Sequence, residues 1–482
     1  MSFSKLNGFK IENICCIGAG YVGGPTMTVI AKYCPEVVVN VVDVNEDRIK
    51  RWNGDCENLP IFEPGLAEIV SDVRDKNLFF STEVKNAIKK ADIIFISVNT
   101  PIKSKGIGAG EASDLRWVES SAREISMFAQ GHTIVVEKST LPVKTAEIIK
   151  SILKSTPQNS KNDNSGQTFS VLSNPEFLAE GTAINDLENP DRVLIGGEDS
   201  DSIDVLKKIY LRWVDEEKII TSNLWSSELS KLIANAFLAQ RISSINSVSA
   251  ICESTGANVK EVAKAVGTDS RIGEKFLNSG PGFGGSCFKK DILNLVYLSE
   301  YFGLPEVASF WNEVVKINTW HQHRIAKLIT KKLFGTLSGK KLALLGFSFK
   351  SNTNDTRESA AIQISKDLLD EGAILFIHDP KVTPEQIAID LGRKPSEGDI
   401  NNLNNSKNQG YWTSALNIDY AIKNADAAVI LTEWQEYSQI NWNLLSKEMR
   451  KPAWVFDARS IINPKDVIES GLNFWRIGDG LR

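Results

Sequence analysis

The densest chemical signal in this 482-residue chain is Gly280-Pro-Gly-Phe-Gly-Gly-Ser-Cys-Phe-Lys-Lys-Asp291. Four glycines in six residues, around Pro281 and Phe283, make a flexible loop, and Ser286 is a suitable N-cap for the apolar-periodic helix that runs on to Leu298. Cys287 then falls at the first helical position, where unpaired N–H groups and the helix dipole lower a thiol pKa, and Lys289 and Lys290 add a cationic field. Those are the conditions for a nucleophilic thiolate. A small buried residue at a helix start is the competing reading of Cys287, and the residues taken singly do not separate the two. Asp291 lies one turn further along the same helix face. Cys15, Cys16, Cys34, Cys56 and Cys252 sit in strand or helix patterns and read as packing residues.

Three further groups could take part in chemistry. Lys231 and Asn235, in Ser226-Ser-Glu-Leu-Ser-Lys-Leu-Ile-Ala-Asn235, are one turn apart on an otherwise apolar helix. A cation beside an amide donor can stabilise an oxyanion, although a solvated stripe is the commoner fate of such a pair. Glu176 and Glu180, in Ser173-Asn-Pro-Glu-Phe-Leu-Ala-Glu180, follow a buried-looking strand, where α/β sheets gather ligand groups, and loop surface would hold them equally well. Upstream, ICCIGAGYVG carries a strand into Gly18-Ala19-Gly20-Tyr21-Val22-Gly23 and on to a helix through Val29 and Ile30. The first glycine permits a tight turn, the second lets backbone approach a pyrophosphate, and the third lets helix pack on strand. The phosphates would rest on the helix N-terminus. Asp43 ends the second strand twenty residues past Gly23. A carboxylate there accepts from a ribose 2′-hydroxyl and repels a 2′-phosphate, so NAD is expected over NADP.

The elements that must position these groups follow an alternating pattern. Ile14–Ile17, Val37–Val42, Ile93–Val98, Ile134–Val136, Val171–Ser173 and Val193–Ile195 are mostly continuous β-branched runs, as in parallel strands buried on both faces. Ser226 to Cys252 has one period-3.6 pattern, apolar at Leu229, Leu232, Ile233, Ala236, Phe237 and Ala239, and predicts a long helix between domains. From Lys340 the alternation returns in KKLALLGFSFK, ILFIHDP, ADAAVILTEW and AWVFDAR. There the turn is Leu345-Gly346-Phe347-Ser348, which lacks a second glycine, so no dinucleotide is expected on it. Ser155–Gln167 and Ser396–Gly410 read as loops. The fold class predicted is α/β, with two Rossmann-like doubly wound domains joined by a central helical domain: residues 1–220, 221–332 and 333–482.

Bulk properties narrow the function. At 42% hydrophobic and 24% charged residues, with no apolar run long enough to span a bilayer, a membrane protein is not expected. A net charge of -5 offers no general attraction to nucleic acid. The first eighteen residues lack the features of a secretory signal, and six cysteines without a CxxC pair fit a reducing compartment, so the cytoplasm is the expected location. His321 and His323, two apart on a helix, point in different directions, which argues against metal ligation.

Taken together, IGAGYVGGP, VVDVNE, LPIFEPGL, ISVNTP, EKSTLPV, LSNPEFLAEGTAI, NPDRVLIGG, WSSELSKLIANAFLAQRISSINS, GFGGSCFKKDI and the stretch Thr353–Ser359 resemble the UDP-glucose/GDP-mannose dehydrogenase family, in particular its animal-type members. The resemblance runs from about Ile14 to Arg459. It implies a two-step NAD-dependent oxidation of UDP-glucose to UDP-glucuronate, through a cysteine thiohemiacetal and thioester, with two NAD per turnover. The same chemistry on GDP-mannose or a UDP-N-acetylhexosamine is the alternative, ahead of a non-catalytic nucleotide-binding regulator. It further implies that Cys287 is the nucleophile, that Lys231, Asn235 and Asp291 stabilise or exchange protons with intermediates, that Glu176 activates water, and that Thr140 positions water or carboxylate. Cofactor contacts would come from Gly18, Ala19, Gly20, Tyr21, Val22, Gly23, Asp43, Arg48, Val98, Asn99, Thr100, Pro101, Ser139, Thr140, Glu180 and Arg357. The sugar nucleotide would meet Glu176, Phe177, Leu178, Ala179, Glu180, Lys231, Asn235, Arg271, Asn278, Phe283, Gly284, Phe288, Lys290, Phe349, Lys350 and Arg459. Family members are homo-oligomers, dimers assembled into a hexamer being expected, with Arg271 reaching a neighbouring subunit's site. Asn278, Ser351 and Asn352 depart from the charged residues usual in animal-type relatives, whose chains also extend beyond the position of Arg482.

Overall fold

The structure, a computed structural model, describes residues 10–139, 143–155, 167–396 and 410–480. It divides into two units: one of residues 1–234 and 293–303, the other of residues 235–292 and 304–482. In the first unit the strands are β1 (Asn13–Ile17), β2 (Val38–Val42), β3 (Leu78–Ser81), β4 (Ile93–Ile96), β5 (His132–Glu137), β6 (Thr168–Ser173), β7 (Val193–Gly196) and β8 (Ile219–Ser222). Their order in the sheet is β3-β2-β1-β4-β5-β6-β7-β8. All neighbours are parallel except β6 and β7, which meet antiparallel at Ser173 and Gly196. Helices α1 (Gly23–Tyr33), α2 (Glu46–Trp52), α3 (Leu66–Val73), α4 (Val84–Lys90), α5 (Arg116–Phe128), α6 (Thr145–Ser155), α7 (Ala183–Glu188) and α8 (Ser200–Tyr210) connect them. The order reverses between β1 and β4, and the crevice at the carboxyl ends of those strands is where open α/β sheets take ligands.

In the second unit β9 (Lys341–Leu345), β10 (Ile374–His378), β11 (Tyr411–Ser414), β12 (Ala427–Ile430), β13 (Trp454–Asp457) and β14 (Asn473–Arg476) form an all-parallel sheet ordered β11-β10-β9-β12-β13-β14. Two doubly wound sheets, as expected, are present. The central strands are buried apolar runs: Ile14, Cys15 and Cys16 in β1 and Leu342 through Leu345 in β9 have no exposed surface. The strands that continuous apolar runs did not predict, β3, β8, β11 and β14, are the four sheet edges. An edge strand has a solvated side, so four mixed residues suffice for it and the sequence signal is weak. The loop expectations for Ser155–Gln167 and Ser396–Gly410 fall almost wholly outside the described residues.

The predicted long helix is α9 (Leu224–Thr255), 32 residues, followed by α10 (Val259–Gly267), α11 (Phe288–Tyr301), α12 (Pro305–Lys332) and α13 (Ala360–Asp370). One expectation about α9 is corrected. Leu229 and Phe237, assigned to its apolar packing pattern, are exposed, as are Trp225 and Ile251. The buried stripe carries instead Ser227, Glu228, Lys231, Leu232, Asn235, Ala236, Ala239, Ser243, Asn246 and Ser249. Buried polar groups persist only with partners. Ser243 donates to the Val314 carbonyl at 2.8 Å, Asn246 Oδ1 accepts from Gly280 N–H at 2.9 Å, and Glu228, Lys231 and Asn235 have the partners described below.

Candidate active site

The glycine turn between β1 and α1 meets the requirements of a dinucleotide cradle position by position. Gly18 has φ +109°, and a Cβ there would lie 2.3 Å from the Ser97 carbonyl oxygen. At Gly23 a Cβ would lie 2.0 Å from the Gly18 carbonyl oxygen, so only glycine lets α1 approach β1 this closely. At Gly20 a Cβ would meet nothing within 4 Å, which leaves the outer face of the turn open to a ligand. Ala19 N–H donates to Asp43 Oδ2 at 2.9 Å, and Arg48 Nη1 bonds the same oxygen at 2.8 Å. Tyr21 and Val22 line the turn half-buried. Val98, Asn99, Thr100 and Pro101 follow β4, and Ser139 follows β5, its hydroxyl donating to the Val98 carbonyl at 2.8 Å. These groups stand at the carboxyl ends of β1, β2, β4 and β5, where a dinucleotide fits. Thr140 lies outside the described residues.

After β6, Glu176 is buried, against the loop-surface alternative, and its Oε1 lies 3.1 Å from Lys231 Nζ, which is equally buried. Glu176 Oε2 accepts from Leu178 N–H at 2.9 Å. The Phe177 ring carries the Arg192 guanidinium at 3.8 Å and the Lys231 ammonium at 5.4 Å. Ala179 is exposed and Glu180 half-buried. This loop is anchored by Glu63, from the LPIFEPGL stretch, which accepts from Gly181 and Ala183 N–H at 2.7 and 3.1 Å. Lys138 is likewise buried, bonding Asn174 Oδ1 at 3.0 Å and Tyr210 OH at 3.1 Å, and so ties the ends of β5 and β6 together. None of Glu63, Lys138 or Asn174 was singled out from the sequence. A carboxylate in a proline-containing loop and a lysine at a strand end carry no signal of burial by themselves.

In the second unit, Asn235 Nδ2 donates to Asp291 Oδ2 at 2.6 Å, and both are buried. Lys231 and Asn235 are therefore inward-facing, not a solvated stripe. Cys287 is half-buried and immediately precedes α11, with its carbonyl accepting from Asp291 N–H at 2.8 Å. That makes Cys287 the N-cap residue, a correction to the expectation that Ser286 caps the helix and Cys287 is its first residue. The Ser286 hydroxyl lies 3.3 Å from Cys287 Sγ. The difference arises because Gly285, at φ +85° and bonded by its N–H to the Arg357 carbonyl at 2.7 Å, turns the chain one residue later than the pattern implied. Burial separates four of the other cysteines from this one: it pushes the Cys16 thiol up to about 12 and Cys34 up to about 11, and raises Cys15 and Cys252, whereas Cys56 is half-buried as Cys287 is.

Around the loop before Cys287, Asn318 holds Phe283 from both sides, accepting from its N–H at 2.9 Å and donating to its carbonyl at 3.1 Å. His321 Nε2 donates to the Gly280 carbonyl at 3.1 Å, and burial with the Arg324 charge brings its pKa down to about 3, so it is a neutral support. His323 lies on a different bearing, bonded to Asp367 at 2.6 Å. Phe283 packs edge-on against Phe288, and the Phe349 side chain lies against Gly284 and Gly285, with its ring at Gly285. Lys290 Nζ is 3.9 Å from Asp291. Arg459 is tied by Nε to the Leu431 carbonyl and by Nη2 to the Phe349 carbonyl, each at 2.8 Å. It borders a cavity of about 720 Å³ with Lys260, Lys264, Asn278, Gly280 and Glu433, a size suited to a nucleotide-like ligand. Lys350 is half-buried next to Phe349. Arg357 is held by Asp355 at 2.9 Å, and Arg271 is an exposed group paired with Asp269.

Comparison with known proteins supplies the frame for this geometry. The family models for the UDP-glucose/GDP-mannose dehydrogenase NAD binding, central and UDP binding domains match residues 12–214, 225–320 and 343–464. The chain is 54% identical over 459 residues to UDP-glucose 6-dehydrogenase of Gallus gallus, covering 94% of this chain and 90% of that one. It is 53% identical over 475 residues to UDP-glucose 6-dehydrogenase 3 of Oryza sativa subsp. japonica, covering 97% of each. Among solved structures, a UDP-glucose dehydrogenase from the archaeon Pyrobaculum islandicum is similar with a TM-score of 0.80 at 28% identity, covering 98% of this chain and 99% of that one. With family matches over most of its length, and with the cradle, the buried Lys231 and the helix-capping Cys287 in place, the chain belongs to the UDP-glucose/GDP-mannose dehydrogenase family.

Proposed function

We propose that this protein oxidises UDP-glucose to UDP-glucuronate in two NAD-dependent steps, with Cys287 as the covalent nucleophile. The observation that carries the reading is the inward placement of Lys231 and Asn235, one turn apart on α9 and each paired with a carboxylate, Glu176 and Asp291. The division of labour is residues 1–220 for NAD, 221–332 for the central helices and 333–482 for the UDP moiety. NAD, held by the glycine turn, Asp43 and Arg48, supplies the hydride acceptor, and two are used per turnover. Removal of the first hydride from C6, with loss of the hydroxyl proton to a base, leaves an aldehyde. The Cys287 thiolate adds to that carbonyl carbon, and Lys231 with Asn235 stabilises the oxyanion so formed. Loss of a second hydride from this thiohemiacetal gives a thioester. Glu176 takes a proton from water as it attacks, and the carboxylate leaves with the Cys287 thiolate restored.

Phe283, Gly284, Phe288, Lys290, Phe349, Lys350 and Arg459, with Asn278, are assigned to the sugar nucleotide. Arg271 is assigned to a neighbouring subunit's site, in a homo-oligomer of dimers assembled into a hexamer. Exposed Trp225, Leu229, Phe237 and Ile251 on α9 support self-association, since large apolar side chains gathered on one helix favour a protein partner. Six free cysteines suit a reducing compartment, and we assign the protein to the cytoplasm.

The test is NADH absorbance on adding UDP-glucose, run beside GDP-mannose and a UDP-N-acetylhexosamine. Two NADH per UDP-glucuronate are expected, with UDP-glucose preferred. Cys287→Ala should release no UDP-glucuronate. Release by that variant with two NADH at near the parent rate would refute the covalent route.

A further inference from the structure

The guanidinium of Arg241 has no part in the chemistry above. Arg241 stands half-buried on α9. Its Nε donates to the Lys275 carbonyl at 2.9 Å, its Nη1 to the Ile272 carbonyl at 2.8 Å and its Nη2 to the Gly273 carbonyl at 2.6 Å. Three carbonyls of one turn thus share one planar fork, a geometry that the single ammonium of a lysine does not match. Such bonds are charge-assisted and stronger than those between neutral groups. Ile272 and Gly273 N–H both donate to the Asp269 carbonyl at 2.9 Å, and Gly273, at φ +74°, turns the chain there. The turn belongs to no helix or strand that would take up its carbonyls. On its other side α10 ends against it, since a Cβ at Gly267 would lie 2.9 Å from Glu274 Cα.

The residues that follow this turn form one wall of the cavity of about 720 Å³. Leu277, Asn278, Ser279, Gly280 and Gly282 line it, together with Glu274 from the turn itself. Phe276 enters the wall at φ +63°, a left-handed conformation that a non-glycine residue keeps only where its surroundings enforce it. Among the described residues, no backbone carbonyl accepts from the N–H groups of residues 276–279. The wall is therefore held at its ends. Asn246 and His321 bond the N–H and the carbonyl of Gly280 at the far end, and Arg241 holds the near end. Between them Leu277 packs on the cluster of Ile245, Cys252 and Val259. Arg241 itself is not among the residues that line the cavity.

We propose that Arg241 is a positioning residue for the sugar nucleotide: by clamping the turn 272–275 it fixes the start of the cavity wall 276–280. The proposal rests on the dehydrogenase reading above, with the nucleotide in this cavity. Loss of the fork frees the near end of the wall, while Gly280 keeps its bonds to Asn246 and His321. The wall must then be ordered as the nucleotide binds, which weakens binding and leaves the chemical step unaltered. NAD, assigned to the glycine turn of the first unit, is bound as before.

The full-length protein is compared with its Arg241→Ala and Arg241→Lys variants by steady-state kinetics, calorimetric titration with UDP, and trypsin digestion read by mass spectrometry. Arg241→Ala is expected to raise the KM for UDP-glucose and the Kd for UDP at least about tenfold, with kcat and the KM for NAD within about threefold of the parent. Arg241→Lys should fall between the two, since one ammonium does not span three carbonyls. Methylguanidinium added to Arg241→Ala should recover much of the UDP affinity and methylammonium should not, a distinction that a merely destabilised variant would not make. Trypsin should cut after Lys275, an exposed residue, faster in Arg241→Ala than in the parent, because a freed loop is what a protease engages. An unchanged KM for UDP-glucose in Arg241→Ala, an equal loss of NAD affinity, or no rescue by methylguanidinium overturns the proposal. Should Arg241→Ala not fold, Arg241→Lys decides by the same split between the two KM values. Should the parent not oxidise UDP-glucose, the dehydrogenase reading fails, and the cut after Lys275 still decides whether Arg241 holds the wall.

Discussion

The two sheets of this protein begin alike and diverge at one turn. In each, the first strand is followed by a glycine with positive φ, Gly18 at +109° and Gly346 at +97°, and the second by an aspartate, Asp43 and Asp379. In the first sheet the next turn position is Gly20, open on its outer side, and Asp43 meets the turn only through Ala19 N–H. In the second, Ser348 fills that position, and Asp379 Oδ2 accepts from Phe347 N–H at 2.7 Å, Ser348 N–H at 3.0 Å, and Ser348 Oγ and Trp434 Nε1 each at 3.2 Å. An aspartate so committed has little capacity left for a ribose hydroxyl. The same frame is thus open to a dinucleotide in one place and closes on itself in the other, and a single side chain at the turn marks which.

The strongest test of that contrast exchanges damage between the turns. Gly23→Ala puts a Cβ against the Gly18 carbonyl, and we expect NAD affinity to fall at least about 100-fold, the equivalent of the ~3 kcal/mol that backbone overpacking costs. Gly346→Ala, whose Cβ would lie 2.3 Å from Thr432 Cβ, should instead cost about 1–3 kcal/mol of stability and leave NAD binding by the folded protein unchanged. Fluorescence titration with NAD and thermal melts separate the two. Equal loss of NAD binding in both variants would erase the distinction.

A smaller effect is expected from the aspartates. Asp43→Asn removes the negative charge that opposes a 2′-phosphate, and the NAD-to-NADP ratio of kcat/KM should drop by about tenfold, as one removed charge repulsion of ~1.4 kcal/mol implies. Asp379→Asn should lower the stability by about 2 kcal/mol through lost hydrogen bonding, with the cofactor ratio intact. An unaltered ratio in Asp43→Asn would remove Asp43 from the ribose site. Milder still is Gly20→Ala, whose Cβ meets only open space. Its melting temperature should stay near the parent's while the KM for NAD rises by about threefold to tenfold, because backbone approach to the pyrophosphate is hindered.

A further difference should come from pH. His321, in the second unit, has its pKa brought down to about 3 from 6.5 by burial. Its stability contribution is complete above 6.5 and is lost as pH falls toward 3, because the unfolded chain takes up a proton that the folded one refuses. Replacing it by glutamine, which can still donate to the Gly280 carbonyl, should flatten acid-induced unfolding by about one proton between those values. Denaturant titrations at several pH values measure this slope, and an unchanged slope would mean that His321 protonates readily in the folded state.

Much of this architecture was legible without coordinates, and the exceptions have a common cause. Central strands announce themselves because burial on both faces demands unbroken apolar runs, as in Ile93–Ile96. Edge strands such as Leu78–Ser81 and Tyr411–Ser414 escape because one side is solvated. The helix α9 misleads in a related way. Its aliphatic and aromatic residues gave the right period, yet Leu229 and Phe237 are outside while Glu228, Lys231 and Asn235 are inside. Period alone carries no statement of which face is inward when the buried face is polar.

The amino-acid sequence by itself determined the glycine turn, the aspartate that follows it, the central strands, and Cys287 at the edge of a helix, because each depends on contacts between near neighbours in the chain. Only the tertiary structure decided that Glu176 meets Lys231, that Asn235 meets Asp291, that Glu63 and Lys138 hold the loops after β5 and β6, and that Glu228 closes on the start of α6. Those pairings join residues 36 to 118 positions apart. A lone Glu or Lys in a sequence is far more often solvated than buried, and only the packed surroundings, by excluding water and supplying a partner, give it a fixed role.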